Sequence, residues 1–120
     1  KIANLLGLTL LCLGLGVVWG LLAGVLHAIC YVFILSPSVN ALCHVFGHKN
    51  FDNTATNLQS VAFLTAGEGL HNNHHAFPRS PKLSYRPGEF DLAWSILWVL
   101  TKLRLAQPHK TIREMLEEPQ

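Results

Sequence analysis

Three histidines lie within five residues of one another in the segment Gly67–Pro78, which reads GEGLHNNHHAFP. His71, His74 and His75 are spaced at i, i+3 and i+4, so a helix would place the three imidazoles on one face. Neutral imidazole is the commonest protein metal ligand, and three adjacent rings leave several ring nitrogens in need of partners. The spacing therefore predicts a metal site, and the alternative is a surface cluster without a ligand.

Two polar residues upstream share this spacing. Asn40 and His44 are four residues apart near the end of a long apolar stretch, where polar side chains usually face an interior cavity rather than lipid. We therefore predict that His44 joins the histidine cluster. Glu68 precedes His71 by three residues, and it is predicted either to orient a ligand or to cap the helix. Iron, copper and zinc all accept imidazole, but the absence of H-E-x-x-H argues against a zinc peptidase.

The elements that position these residues begin with the run Ile2–Leu35, which contains no Asp, Glu, Lys or Arg. A helix rises about 1.5 Å per residue and crosses a bilayer in about 20 residues, so the run is too long for one span. We predict two membrane helices, over residues 2–18 and 22–46, with a turn near Gly20–Gly24 and a kink at Pro37. The alternative is a buried helical hairpin in a soluble protein.

Basic residues on both sides of this region predict its orientation. Lys1 precedes it, and Lys49, Arg79, Lys82 and Arg86 follow it. The positive-inside rule therefore predicts both termini and the histidine cluster on the cytosolic side. The three cysteines form no C-x-x-C pair and fit a reducing environment. The net charge of +2 gives no indication of nucleic-acid binding.

The rest of the chain is more polar. We assign residues 1–46 to the two membrane helices and residues 47–120 to a cytosolic region. In the latter, the pattern predicts a helix at Ser60–His75, which carries the histidine cluster, and a loop at Phe77–Gly88. It also predicts an apolar helix at Asp91–Arg104, which lies at the membrane interface or in a core, and a short polar helix at Thr111–Glu118. His48 and His109 are predicted to be loop residues outside the site.

Three segments resemble one known family. HNNHH at residues 71–75 resembles the third histidine box, H-x-x-H-H, of the membrane fatty acid desaturases. NALCHVFGHKNFD at residues 40–52 resembles the N-S-x-x-H-x-x-G segment that precedes this box in acyl-CoA and acyl-lipid delta-9 desaturases, with Ala41 in place of the common Ser. GEGLHNNHHAFPRS at residues 67–80 is similar to bacterial members of that subfamily, and EFDLAWSILWVLTKLRLA at residues 89–106 is similar to the family's C-terminal segment.

This resemblance implies an all-α integral membrane enzyme of four spans with a cytosolic helical cap. The chain would supply the last two spans, as a helical hairpin, and the cap segment that follows. The resemblance implies two iron ions, with His44, His71, His74 and His75 as ligands and Asn40 holding a metal-bound water. It implies O2-dependent insertion of a cis double bond, of the delta-9 type, into an acyl-CoA or acyl-lipid in a bacterial plasma membrane. Electrons would come from a carrier such as ferredoxin, rubredoxin or cytochrome b5.

One departure from the family pattern concerns its first two histidine boxes, H-x-x-x-x-H and H-x-x-H-H, which are absent upstream of the third. Because the chain begins with Lys1 rather than Met, we expect it to be the C-terminal half of a longer protein. Such a fragment would hold about half of the ligands and would be inactive without the upstream half. A related membrane di-iron lipid hydroxylase and a non-catalytic metal-binding membrane protein are the alternative functions.

Overall fold

The computed structural model describes residues 2–118, apart from the side chain of Ala3. Within this range the regular elements are helices, and the described residues form no β-strand beyond isolated bridges. The all-α prediction is therefore confirmed. The chain divides into two compact units, with the boundary between Pro37 and Ser38.

The first unit contains a pair of antiparallel helices, α1 (Ile2–Leu15) and α2 (Val17–Cys30). They are separated by Gly16, whose φ of 82° favours glycine. A Cβ on Gly20 would lie 2.5 Å from the Cα of Cys12, so the missing side chain lets the two backbones approach closely. The predicted turn near Gly20–Gly24 is therefore wrong, because these glycines lie inside α2, where close packing rather than chain reversal needs them.

The helix that begins with α2 continues as far as Leu42, through π-helical segments at Tyr31–Leu35 and Ser38–Leu42 on either side of Pro37. Val17–Leu42 has 26 residues, and among the described residues it is the one helix long and apolar enough to cross a membrane. α1, with 14 residues, is shorter than the roughly 20 that a span requires. The described residues therefore contain one helix of spanning length, and the hairpin of two spans stays a prediction. The predicted end of the second helix at Phe46 is wrong, since a turn follows Leu42.

The second unit contains four short helices: α3 (Gln59–Leu64), α4 (His71–Ala76), α5 (Leu92–Lys102) and α6 (Ile112–Leu116). The single helix predicted over Ser60–His75 is wrong, because the chain breaks between α3 and α4.

The break between α3 and α4 has a local cause. Ala66 and Gly67 adopt positive φ values of 57° and 124°, and the amide of Gly67 donates to the carbonyl of Ala62 at 2.8 Å. The turn then folds back so tightly that a Cβ on Gly69 would overlap the backbone nitrogen of Ala62. The chain therefore reverses here, and α4 begins as a separate helix.

The core of this unit is small and unusually polar. Ala62, Leu70 and Leu83 form its apolar cluster. The buried polar side chains outnumber that cluster, and they are Thr56, Asn57, His71, Asn72, Asn73, Ser80 and Asp91. Buried polar groups need hydrogen-bond partners, so the partners of these side chains determine how the second unit is held together.

Candidate metal centre

Three of the predicted ligands lie together in the second unit. His44, His71 and His75 each offer one ring nitrogen, and these atoms all lie within 4.8 Å of one another. The ring centroids of His44 are 5.1 Å from those of both His71 and His75, and the last two are 4.4 Å apart. On α4, His71 and its i+4 neighbour His75 thus lie against the ring of His44, which comes from a distant segment.

Backbone hydrogen bonds explain how the distant ring reaches α4. The segment 56–58 lies between the chain that follows the long helix and the chain that enters α4. On one side, Asn57 and His48 exchange two backbone hydrogen bonds of 3.0 and 2.7 Å. On the other, the amide of Leu58 donates to the carbonyl of Gly69 at 2.9 Å. This segment therefore holds the turn that carries the upstream histidine beside the first residue of α4.

The environment keeps two of these imidazoles neutral. Burial first, and then repulsion from charge on His75, His44 and His74, together lower the pKa of His71 to about 4. The pKa of His75 is lowered by the same causes, burial first and then charge on His44 and His74. A neutral ring keeps a lone pair on one nitrogen, which is the form that binds a metal ion.

The donor set fits a metal ion. The Nε2 atoms of His71 and His75 are 3.0 Å apart, and two ligands at right angles with bonds of about 2.1 Å would have that separation. The Nδ1 atom of His71 is buried and has no hydrogen-bond partner, although buried polar atoms normally have one. An ion between these rings would bind the two Nε2 atoms, which otherwise share one hydrogen bond whose donor depends on the tautomer.

His74 lies beside this group but outside it. Its ring is nearly parallel to that of His71, with an interplanar angle of 16° and centroids 5.9 Å apart. Its centroid is 6.1 Å from that of His75. The structure therefore places two members of the predicted triplet, His71 and His75, in one group with His44 and leaves His74 beside that group.

The two remaining candidates are placed differently. Asn40 is exposed and lies in the π-helical segment Ser38–Leu42, four residues before His44. Glu68 is exposed in the turn between α3 and α4, and its backbone amide donates to the carbonyl of Thr65 at 3.3 Å. Because α4 begins after Glu68, this carboxylate does not share the helical face of the histidines as predicted.

Asn72 anchors α4 on the side opposite the histidines. Its side chain is fully buried and donates to the carbonyls of Phe51 at 2.8 Å and Ala55 at 3.0 Å and to the side chain of Asn53 at 2.9 Å. It accepts from the amides of Asn50 at 2.7 Å and Phe51 at 2.9 Å. One side chain thus holds the loop that follows the long helix.

Asn73 anchors α4 in the other direction. It is also fully buried, and it donates to the carbonyl of Leu83 at 2.7 Å and to the carboxylate of Glu89 at 2.9 Å. Its oxygen accepts from the side chains of Asn50 and Asn57, both at 2.9 Å. The sequence analysis missed these anchoring roles. They could have been found from the two asparagines inside the histidine motif, since asparagine is seldom buried without hydrogen-bond partners.

The other histidines have local partners. His48, predicted to be a solvated loop residue, is half exposed, and its Nε2 lies 3.2 Å from the carboxylate of Glu89. His109 is exposed and its Nδ1 accepts from the backbone amide of Lys110 at 2.9 Å. His48 is therefore exposed and outside the histidine group, as predicted, and the chain between α4 and α5 brings Glu89 against it.

Curated proteins with known activities match most of this chain. An acyl-CoA 5-desaturase of Anemone leveillei is 36% identical over 101 residues, which are 82% of this chain and 30% of that protein. The sn-1 stearoyl-lipid 9-desaturase of Anabaena variabilis is 42% identical over 105 residues, 84% of this chain and 37% of that protein. The enzyme of the same name from Synechocystis sp. is 37% identical over 109 residues, 88% of this chain and 33% of that protein.

The chain thus spans about a third of the length of these relatives. No family model and no solved structure matches it. The matched region includes the segments that bring His44 to α4, and it extends over more than four fifths of the chain in each of the three relatives. On this similarity, the chain belongs to the membrane fatty acid desaturase family.

Proposed function

We propose that this chain is the iron-binding C-terminal part of an O2-dependent acyl desaturase. The observation that carries the proposal is the convergence of His44, His71 and His75 on one point, in a chain similar to acyl-CoA and acyl-lipid desaturases. When bound, iron would supply the activation of O2 and the removal of two hydrogens from a saturated acyl chain. The product would be a cis double bond, at delta-9 if the chain follows its stearoyl-lipid relatives.

The roles of the histidines follow from their geometry. His44, His71 and His75 would hold one iron, since their ring nitrogens lie within 4.8 Å of one another. His74, whose ring lies to one side of this group, would bind a second iron, and Asn40 would hold a water on it. The neutral rings of His71 and His75 would bind without first losing a proton at neutral pH.

Three imidazoles leave an iron ion with open coordination positions. We propose that further histidines complete the coordination of both ions. They would come from the part of the relatives' length that this chain does not span. The Val17–Leu42 helix would lie in the membrane, with the histidine cluster at its cytosolic end. The substrate would be an acyl-CoA or an acyl-lipid, and a small carrier such as ferredoxin, rubredoxin or cytochrome b5 would deliver the electrons.

The test uses the protein as its gene encodes it, produced in the membranes of a host that lacks acyl desaturation. We expect about two irons per protein by elemental analysis and a monounsaturated fatty acid by gas chromatography. His44→Ala, His71→Ala, His74→Ala and His75→Ala should each abolish the product and lower the iron content, because each removes a ligand.

His109→Ala is the matched control, since this exposed histidine lies outside the cluster, and it should keep both iron and product. A hydroxylated product instead of an alkene would establish the hydroxylase alternative. Iron content unchanged by His71→Ala and His75→Ala would refute the metal site itself.

A further inference from the structure

A single buried carboxylate closes the hydrogen-bond network beneath the histidine helix. The side chain of Glu89 is only 3% exposed. Its Oε1 accepts from the side chains of Asn50 at 2.5 Å and Asn57 at 3.4 Å and lies 3.2 Å from Nε2 of His48. The amide groups of Asn50 and Asn57 can only donate to this oxygen, whereas His48 can donate or accept according to its tautomer. The two asparagines also donate to Asn73.

The other carboxylate oxygen joins α4 to the chain that follows it. Oε2 accepts from the side chain of Asn73 at 2.9 Å and from the backbone amides of Tyr85 at 2.6 Å and Arg86 at 3.0 Å. Burial alone would raise the pKa of Glu89, but the hydrogen bonds from Tyr85, Arg86, Asn50 and His48 together hold it below its ordinary value. The group is therefore an anion at neutral pH.

The chemistry of this position requires a carboxylate rather than an amide. Glutamine has the same shape but carries one NH2 group. In one orientation this group would face the donors Asn50 and Asn57, with His48 alone able to accept, and in the other it would face Asn73 and two backbone amides, which are all donors. A buried donor that faces donors has no partner and costs free energy.

The network reaches the candidate metal centre through α4. This helix has only six residues, too few to be stable without tertiary contacts, so its orientation depends on what holds its buried side. Asn73 is one of these contacts, together with Asn72, and it immediately precedes His74 and His75. A shift of Asn73 would move the two imidazoles that follow it, and metal affinity depends on ligand positions to within fractions of an ångström.

We propose that Glu89 is a positioning residue of the metal centre: its carboxylate fixes Asn73, and Asn73 fixes the orientation of the helix that carries His74 and His75. This inference rests on the proposed function, since it concerns the same metal site. The segment between α4 and α5 would then maintain the geometry of the ligands, although none of the proposed ligands lies in it.

The test compares Glu89→Gln, Asn73→Ala and the double variant in the complete membrane protein. Partners of ligands typically change metal affinity about 10–100-fold, and because Glu89 acts through Asn73 we expect about tenfold weaker iron binding for each single variant. The double variant should be no weaker than the worse single variant, since both changes break one chain of contacts. The cobalt-substituted protein should show shifted ligand-field absorption bands, which a change in stability alone would not produce.

Glu117→Gln is the matched control, because this carboxylate is exposed on the last turn of the chain, and it should bind iron as the wild type does. Wild-type affinity and cobalt spectra in Glu89→Gln would overturn the inference. If Glu89→Gln does not accumulate as folded protein, Asn73→Ala decides: an unchanged spectrum overturns the inference and a shifted one supports it. Fully additive losses in the double variant would also overturn it. The proposed function fails separately, if the His71→Ala variant binds iron as the wild-type protein does.

Discussion

The buried side chain of Asn72 gives the sharpest prediction about stability. Asn72→Ala removes five hydrogen bonds at once: three that the side chain donates and two that it accepts. The groups that lose a partner belong to the loop at residues 50–55, where the side-chain oxygen of Asn53 and the carbonyl of Phe51 each keep another backbone donor. A sealed, unsatisfied polar group costs roughly 1–3 kcal/mol, and one of these bonds, to the carbonyl of Ala55, is fully buried. Water can reach the amides of Asn50 and Phe51 in part, so about 0.5 kcal/mol for each gives a total of about 2–4 kcal/mol.

This loss is large beside the total stability of a typical domain, about 5–15 kcal/mol. For a protein of about 300 residues, the length of the relatives, it would lower the melting temperature by about 3–6 °C. The measurement is thermal unfolding of the purified, metal-free membrane protein in detergent, followed by tryptophan fluorescence. Asn72→Asp should be at least as damaging, because a carboxylate oxygen would replace the donor that faces three acceptors.

Gln107→Ala supplies the control, since it removes an exposed amide and should change stability by less than about 0.5 kcal/mol. Melting temperatures of Asn72→Ala and Gln107→Ala that agree within about 2 °C would refute the reasoning. The loop would then be held by contacts other than those of Asn72.

Three further predictions concern acidity, packing and topology. The native pKa of Glu89 lies below its unfolded value of 4.5. Its charge therefore contributes stability that is present above about pH 4.5 and is lost as the pH falls through the lowered native pKa. The free energy of unfolding, measured from pH 7 to pH 3, should show this loss, and Glu89→Gln should make it less dependent on pH. Gly69→Ala should reduce folded protein in size-exclusion chromatography, because its Cβ would overlap the backbone of Ala62; a normal yield would contradict this. A cysteine at Leu15 should react with a membrane-impermeant thiol reagent from outside the cell and a cysteine at Arg79 only after lysis, and the reverse pattern would reject the proposed orientation.

The sequence was informative where chemistry depends on local spacing. His71 and His75 are i and i+4 on a helix, so their proximity follows from helical geometry. The addition of His44 was predicted from its position near the end of an apolar helix, and the structure brings it within reach of both. Helix boundaries were less predictable. The break before α4 depends on the close approach of Gly69 to Ala62, and a contact between two segments leaves no periodicity in either.

The same limitation applied to the glycines of the first unit. Gly20 and Gly24 looked like a turn because glycine favours chain reversal, whereas the reversal occurs at Gly16, where φ is positive. The other two serve helix packing, with Gly20 against Cys12 and Gly24 against Leu8. Sequence alone cannot separate these two uses of glycine, since the first needs a backbone angle and the second needs a missing side chain.

The HNNHH segment both carries the imidazoles and anchors its own six-residue helix, and apolar side chains alone could not do both. The imidazoles occupy one face, so only the other face can anchor the helix. The apolar core near it is a cluster of three residues, too small to fix the orientation of α4 by packing. Asn72 and Asn73 supply the anchor instead, because an amide offers donors and an acceptor without charge. The histidine spacing brings the rings together, and the asparagines between them determine where the rings point.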